Sequence, residues 1–303
     1  MNKLLLKKRK KRIRLRLFLF IFLFILIITI TFKYLLSKNI NYDNDLLIKL
    51  LLNSSCIKVK NNNIRINMLD VLNINYLEND ITKKNKVVKT SKKVNQKYLI
   101  YIYNTHQNEE YRDTTLINNS ITPTVSINDY IMKDYFDNRN LTTLVENKSV
   151  NDALNINNYK YYRSYEITKM FMTDAKNNYK TLKYYIDIHR DSLPRDKTTI
   201  DIDGKSYARV LFLIGLENDN YEDNLNFTSI INNKLNIEYP SLSKGILKKG
   251  GEGVNGVYNQ DFSPYTILIE IGGYENTIEE VMNTSIALSK VISEVIIENE
   301  NRG

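Results

Sequence analysis

Only two histidines occur in the chain, His106 and His189, and each closes a short run of bulky, β-favouring residues, KYLIYIYNTH and TLKYYIDIHRDS. Imidazoles at the ends of two central strands are presented along one edge of a sheet, where they can converge on one ion. A hydrolytic zinc site takes three protein ligands and leaves one position open for water. The chain has a single cysteine, Cys56, and no CxxC pair, so the third ligand must be a carboxylate. Glu109 follows His106 at HxxE spacing, which lets one short turn offer both side chains to the same ion. Asp152 is the rival for that third position.

A second carboxylate of interest is Glu270, which interrupts the otherwise apolar strand TILIEIGG just before two glycines. An unpartnered carboxylate there is costly to bury. Beside an activated water it can act as general base and then return the proton to a leaving amine. Arg190 and Asp191 flank His189 and suit a catalytic or substrate-binding role, holding a substrate carboxylate or orienting a ligand. The glycine-rich segment KKGGEGVNG, residues 248–256, lacks the strand-to-helix context of a phosphate loop and reads as a mobile loop beside the site. The cofactor these residues call for is Zn2+.

These side chains need a scaffold that brings distant strands together. KYLIYIYNTH, TLKYYIDIHRDS, ARVLFLIGLEN and YTILIEIGG are short apolar runs that end abruptly in polar groups, as buried strands do. Residues 125–138, 164–177, 224–235 and 277–297 have helical spacing. Strands alternating with helices predict an α/β domain of three layers around a largely parallel sheet, with the site at the carboxyl ends of its strands.

This domain is expected over residues 97–303, after a stalk or small accessory segment at 37–96. Residues 17–36 form an apolar stretch of about 20 residues, enough to span a bilayer as a single helix. No small-residue cleavage site follows it. The first sixteen residues carry nine Lys or Arg and no acid, which predicts a cytoplasmic tail and an exterior domain. The tail also accounts for the formal charge of +9, because the remainder holds 34 basic and 34 acidic residues. A nucleic-acid partner, which needs a basic surface on the folded domain, is therefore not expected.

Several stretches of the exterior part resemble a known family: YIYNTHQNEEY, YYRSYE, YYIDIHRDS, ARVLFLIGLEN, EYPSLSKGI and VYNQDFSPYTILIEIGGYENTIEE, in this order over roughly residues 97–298. They are similar to stage II sporulation protein P, the engulfment peptidoglycan hydrolases of endospore formers. The resemblance implies an N-acetylmuramoyl-L-alanine amidase-like fold, with amidase and endopeptidase activity on peptidoglycan. It puts His106, Glu109 and His189 in the metal site, Glu270 in the catalytic role, and Asn259, Gln260 and Asp261 along the groove. It also implies a single-pass protein of the septal or engulfing membrane. Its partners there would be a second wall hydrolase, stage II sporulation protein D, and other engulfment membrane proteins. Two departures stand out. The family's His-Thr-His is Asn104-Thr105-His106 here, and its His-Asp pair is Asn151-Asp152, so Asp152 is the substitute ligand if that family histidine binds metal.

Two other functions fit part of the pattern. A membrane-anchored wall-binding scaffold without catalysis would fit the missing histidines. A zinc carboxypeptidase on free peptides would share HxxE and a later histidine.

Overall fold

The apolar runs pair edge to edge because their flanking helices are long enough to cover both faces of the sheet they make. In a computed structural model that describes residues 57–59, 97–113 and 121–302, the first strands are β1 (Ile57–Val59), β2 (Ile100–Tyr103) and β3 (Ile121–Pro123). Helix α1 (Ile127–Asp137), β4 (Thr143–Val145), α2 (Val150–Ile156) and α3 (Ser164–Asn178) follow. Then come β5 (Tyr184–Asp191), the one-turn α4 (Arg195–Thr198), the hairpin β6 (Thr199–Ile202) and β7 (Lys205–Ala208), and β8 (Val210–Gly215). The chain ends with α5 (Tyr221–Glu238), β9 (Ser243–Lys249), β10 (Thr266–Gly273) and α6 (Ile278–Glu300).

The central sheet has the order β4-β2-β5-β10-β8-β9. Every neighbouring pair is parallel except β10 with β8, so the sheet is mixed but largely parallel. All four residues of β2 and the first six of β5 are buried, as a sheet covered on both faces requires. On one face Tyr101, Tyr103 and Tyr185 pack against Met172 and Ala175 of α3. On the other, Tyr184 meets Phe227 of α5 at 5.7 Å between ring centroids and donates to Glu300 of α6 at 2.7 Å. Ser285 of α6 donates to Asn128 of α1 at 2.6 Å on that same side.

Helix α6 begins where Thr277 and Glu280 form a capping box: the Thr277 hydroxyl accepts from the Glu280 N–H at 3.2 Å, and the Glu280 carboxylate accepts from the Thr277 N–H at 3.0 Å. Arg195 donates to the same carboxylate, which ties α4 to the start of α6.

The four strands β2, β5, β8 and β10 and the four long helices lie where the periodicity predicts. Elements β4, α2, the β6–β7 hairpin and β9 are too short or too polar to have shown a pattern. The hairpin turns at Asp203 and Gly204, both with positive φ (51° and 76°), the backbone that a two-residue Asp-Gly turn requires. Strand β5 also runs further than expected. His189 stands inside it, not after it, because pairing with β10 continues to Asp191.

Among the described residues no helix is long and apolar enough to cross a membrane. The expected tail at 1–16, the expected span at 17–36 and all of 37–96 except β1 lie outside those residues. Strand β1 pairs antiparallel with β3.

Candidate metal centre

Past the end of β2 the chain sends successive side chains to opposite faces. Asn104 turns toward α1, donating to Asp129 at 3.0 Å and to the Ile188 carbonyl at 3.1 Å. Thr105 turns the other way, and its N–H and hydroxyl donate to the two Asp187 oxygens at 2.9 and 2.7 Å. A tight turn follows, closed by the Glu109 N–H on the His106 carbonyl at 3.0 Å. It brings His106 Nδ1 within 3.4 Å of Glu109 Oε1. From β5, His189 Nδ1 approaches the second Glu109 oxygen at 3.5 Å. The two imidazoles are 4.9 Å apart between centroids and nearly perpendicular, at 87°. One donor atom from each of the three residues lies within 4.8 Å of the others. Metal–ligand bonds of about 2.1 Å in a tetrahedron put the donors about 3.4 Å apart, close to the spacing of each histidine from one Glu109 oxygen, His106 from Oε1 and His189 from Oε2.

The electrostatics suit a cation. Burial pushes the Glu109 carboxyl up, but His106, His189 and the Arg190 N–H, at 2.9 Å, outweigh it and hold the group ionised, well below the usual carboxylate range. For His189, burial opposes the charged form, yet Asp187 and Glu109 dominate and raise its pKa. Its Nε2 lies 3.1 Å from Asp187 Oδ2, though out of line for a hydrogen bond.

Asp187 escaped the sequence reading although a signal was there: in YIDIHRD the aspartate and histidine are two apart, hence on one face of the strand. A buried carboxylate behind a ligand histidine fixes the ring and raises its basicity. Asp187→Asn is expected to weaken zinc binding by about 10- to 100-fold, read by competition titration against a chromophoric chelator. Unchanged affinity would remove the orienting role.

Glu270 is the register partner of His189 across β10 and β5, so both side chains leave the sheet on the face that α3 covers. It is half-buried and has no hydrogen-bond partner among the described residues. Burial raises its pKa first, Asp191 and Glu109 add to this, and His189 and Lys249 act against it.

Two tyrosines, also missed as site residues, box in the histidines. Tyr161 stacks on His106 at 5.2 Å and 24°. Tyr165 meets His106 edge-on at 5.7 Å and stacks toward His189 at 6.4 Å.

The remaining expected residues have other partners. The Arg190 guanidinium donates to the carbonyls of Glu110 and Asp191 at 3.1 and 3.2 Å. Asp191 pairs with Lys244 at 2.6 Å. Asn259 donates to the Tyr165 carbonyl at 2.8 Å and to the Thr168 hydroxyl at 3.0 Å. Gln260 is fully buried, accepting from the Gly215 N–H and donating to the Leu213 carbonyl. Asp261 pairs with Lys169. These three residues stitch their loop to α3 and β8.

Asp152 is exposed on the first turn of α2 and is not in the cluster. The glycine-rich segment is tethered by Glu217, whose carboxylate accepts from the Gly251 N–H and whose own N–H donates to the Gly256 carbonyl at 2.9 Å. A cavity of about 260 Å³ beside the His106–Glu109 turn is lined by Asn104, Gln107, Asn108 and Asp129 among others, and by none of the three metal-centre residues.

The family described as stage II sporulation protein P matches residues 34–293. The chain belongs to this family. Stage II sporulation protein P of Bacillus subtilis (strain 168) is 35% identical over 212 residues, which is 67% of this chain and 52% of that protein. The chain thus spans about half the length of that curated relative. Among solved structures, Cwp6 from Clostridium difficile aligns over 69% of this chain and 30% of its own, with a TM-score of 0.39 and 10% identity. Membership in the stage II sporulation protein P family ties the chain to sporulation. Of its two departures from the family motifs, Asn104 faces α1 and lies away from the metal centre, held there by Asp129 and Ile188.

Proposed function

We propose that this member of the stage II sporulation protein P family is a zinc-dependent peptidoglycan hydrolase. It would be an N-acetylmuramoyl-L-alanine amidase, with endopeptidase activity on cross-links, that thins septal wall during engulfment. The observation that carries this reading is the convergence of His106, Glu109 and His189, with Glu270 beside His189 on the same face of the sheet. Two imidazoles and a carboxylate are the donor set of hydrolytic zinc, and the 3.4 and 3.5 Å spacings suit it. A bound zinc ion supplies a water acidic enough to react near neutral pH and polarises the scissile carbonyl.

The chain's own residues do the rest. Glu270 takes a proton from the attacking water and gives it to the amine nitrogen as the amide bond breaks. Its raised pKa is in the direction that makes a carboxylate a better proton carrier near neutrality. Asp187 lies 3.1 Å behind the His189 ring and raises its basicity, and the Arg190 N–H holds Glu109. The expected anchor at 17–36 would keep this domain outside the membrane, facing the wall, beside stage II sporulation protein D and other engulfment proteins.

The test is incubation of the purified full chain with cell-wall sacculi. Stem peptides bearing a free L-alanine amino terminus should appear, stop with chelator and return with zinc. Sacculus binding without release, and without bound metal, would favour the non-catalytic scaffold. Release of carboxy-terminal residues from peptides that lack glycan would favour a carboxypeptidase.

A further inference from the structure

Amide hydrolysis builds negative charge on the carbonyl oxygen, yet the side chains around this centre include four carboxylates: Glu109, Asp187, Asp191 and Glu270. A hydrogen-bond donor aimed at that oxygen is what such a site needs. Most donors nearby are already engaged. The Arg190 guanidinium is bound to two carbonyls and Lys244 to Asp191. Thr105 donates to Asp187, Asn104 to Asp129 and the Ile188 carbonyl, and Asn259 to the Tyr165 carbonyl and Thr168.

The Tyr165 hydroxyl is different. It makes no hydrogen bond among the described residues, and its ring lies against both histidines, at 5.7 and 6.4 Å, over Leu213 and Leu268. The ring packs on Leu268, two residues before Glu270 on the same face of β10, and against His189, the register partner of Glu270, so it stands beside both the ligand cluster and the base. Tyr161 also stacks on His106, at 5.2 Å, but it is half-exposed and makes no ring contact with His189 among the described residues. Tyr165 is also the better anchored: Asn259 holds its carbonyl from a left-handed backbone, with φ 54°, that orders the loop against the start of α3.

We propose that Tyr165 is a catalytic residue whose hydroxyl donates a hydrogen bond to the scissile carbonyl oxygen as that oxygen becomes negative. The phenol keeps its proton throughout. The proton that moves goes from water to Glu270 to the leaving amine, and the amide carbon–nitrogen bond is the one that breaks. The inference rests on the hydrolase reading above.

Its test compares full-length wild type, Tyr165→Phe and, as the control, Tyr162→Phe, at a tyrosine 79% exposed to solvent, on dye-labelled sacculi, with initial rates over a range of sacculus concentrations. Bound zinc and the thermal midpoint are measured on each. Tyr165→Phe should lose about 100-fold in saturating rate, with half-saturation, zinc content and midpoint unchanged. Tyr162→Phe should stay within a factor of about three of wild type. A Tyr165→Phe rate within that same factor overturns the proposal, as does a loss that tracks lost zinc or an equal loss in Tyr162→Phe. If the wild type is zinc-dependent and active while Tyr165→Phe is too, only this inference fails. A wild type inactive on sacculi, or indifferent to chelator, fails the hydrolase reading and this inference together.

Discussion

His189→Ala is expected to leave the protein folded but without zinc, and to lower wall-fragment release by about a thousandfold or more, because several kcal/mol of charge stabilisation leaves with the ion. His189 supplies one of three donors from the middle of a buried strand, and no other histidine is available to replace it. Elemental analysis and dye release from sacculi check the two halves of the expectation. A variant that keeps zinc and activity would show that the centre is assembled elsewhere.

The same residue sets the pH behaviour. Asp187 and Glu109 overcome the effect of burial and hold the His189 pKa above its ordinary 6.5. Zinc must displace that proton, so affinity should keep climbing as pH rises past the ordinary histidine value. In the metal-free protein the shift has the opposite consequence. The raised pKa stabilises the fold fully below the unfolded value, and this contribution is lost as pH rises through the folded one. Zinc titrations and urea unfolding at several pH values, with and without metal, read both trends. A zinc affinity that does not change with pH would sink the argument.

Glu270→Gln separates proton transfer from metal binding. Glutamine keeps the shape of the half-buried side chain but cannot carry a proton, so kcat should fall by about 10²- to 10⁴-fold while zinc content stays at the wild-type level. The acid limb of the wild-type pH–rate profile should lie above the pKa of an ordinary glutamate, since burial, Asp191 and Glu109 all raise that of Glu270. This limb should vanish in the variant. Zinc lost along with activity would instead make Glu270 part of the metal site.

Much of this centre was legible in the residues alone. Apolar runs ending in His106 and around His189, with Glu270 inside a third, mark three central strands by local periodicity, and periodicity survives into the fold because it encodes which face of an element is buried. The family motifs are legible for the same reason, being contiguous. Asp187 was legible in principle, two residues before His189, and Tyr165 only as part of a motif with no assigned task.

What the sequence by itself determined is four of the central strands, the four long helices and the chemistry available at the strand ends: two imidazoles, several carboxylates and an α/β scaffold to carry them. Tertiary structure decided which of those groups meet. Glu109 reaches both histidines and Asp152 does not, because the turn after β2 folds back over β5 while α2 holds Asp152 in solvent. Glu270 stands beside His189 because β10 pairs with β5 in a register that joins residues 81 positions apart, from 189 to 270. Gln260 became a buried tie to β8 through a loop path that no local pattern records. The physical reason is common to all three: periodicity reports a residue's own face, whereas its neighbour depends on strand order, register and loop course, which are settled only when the whole chain packs.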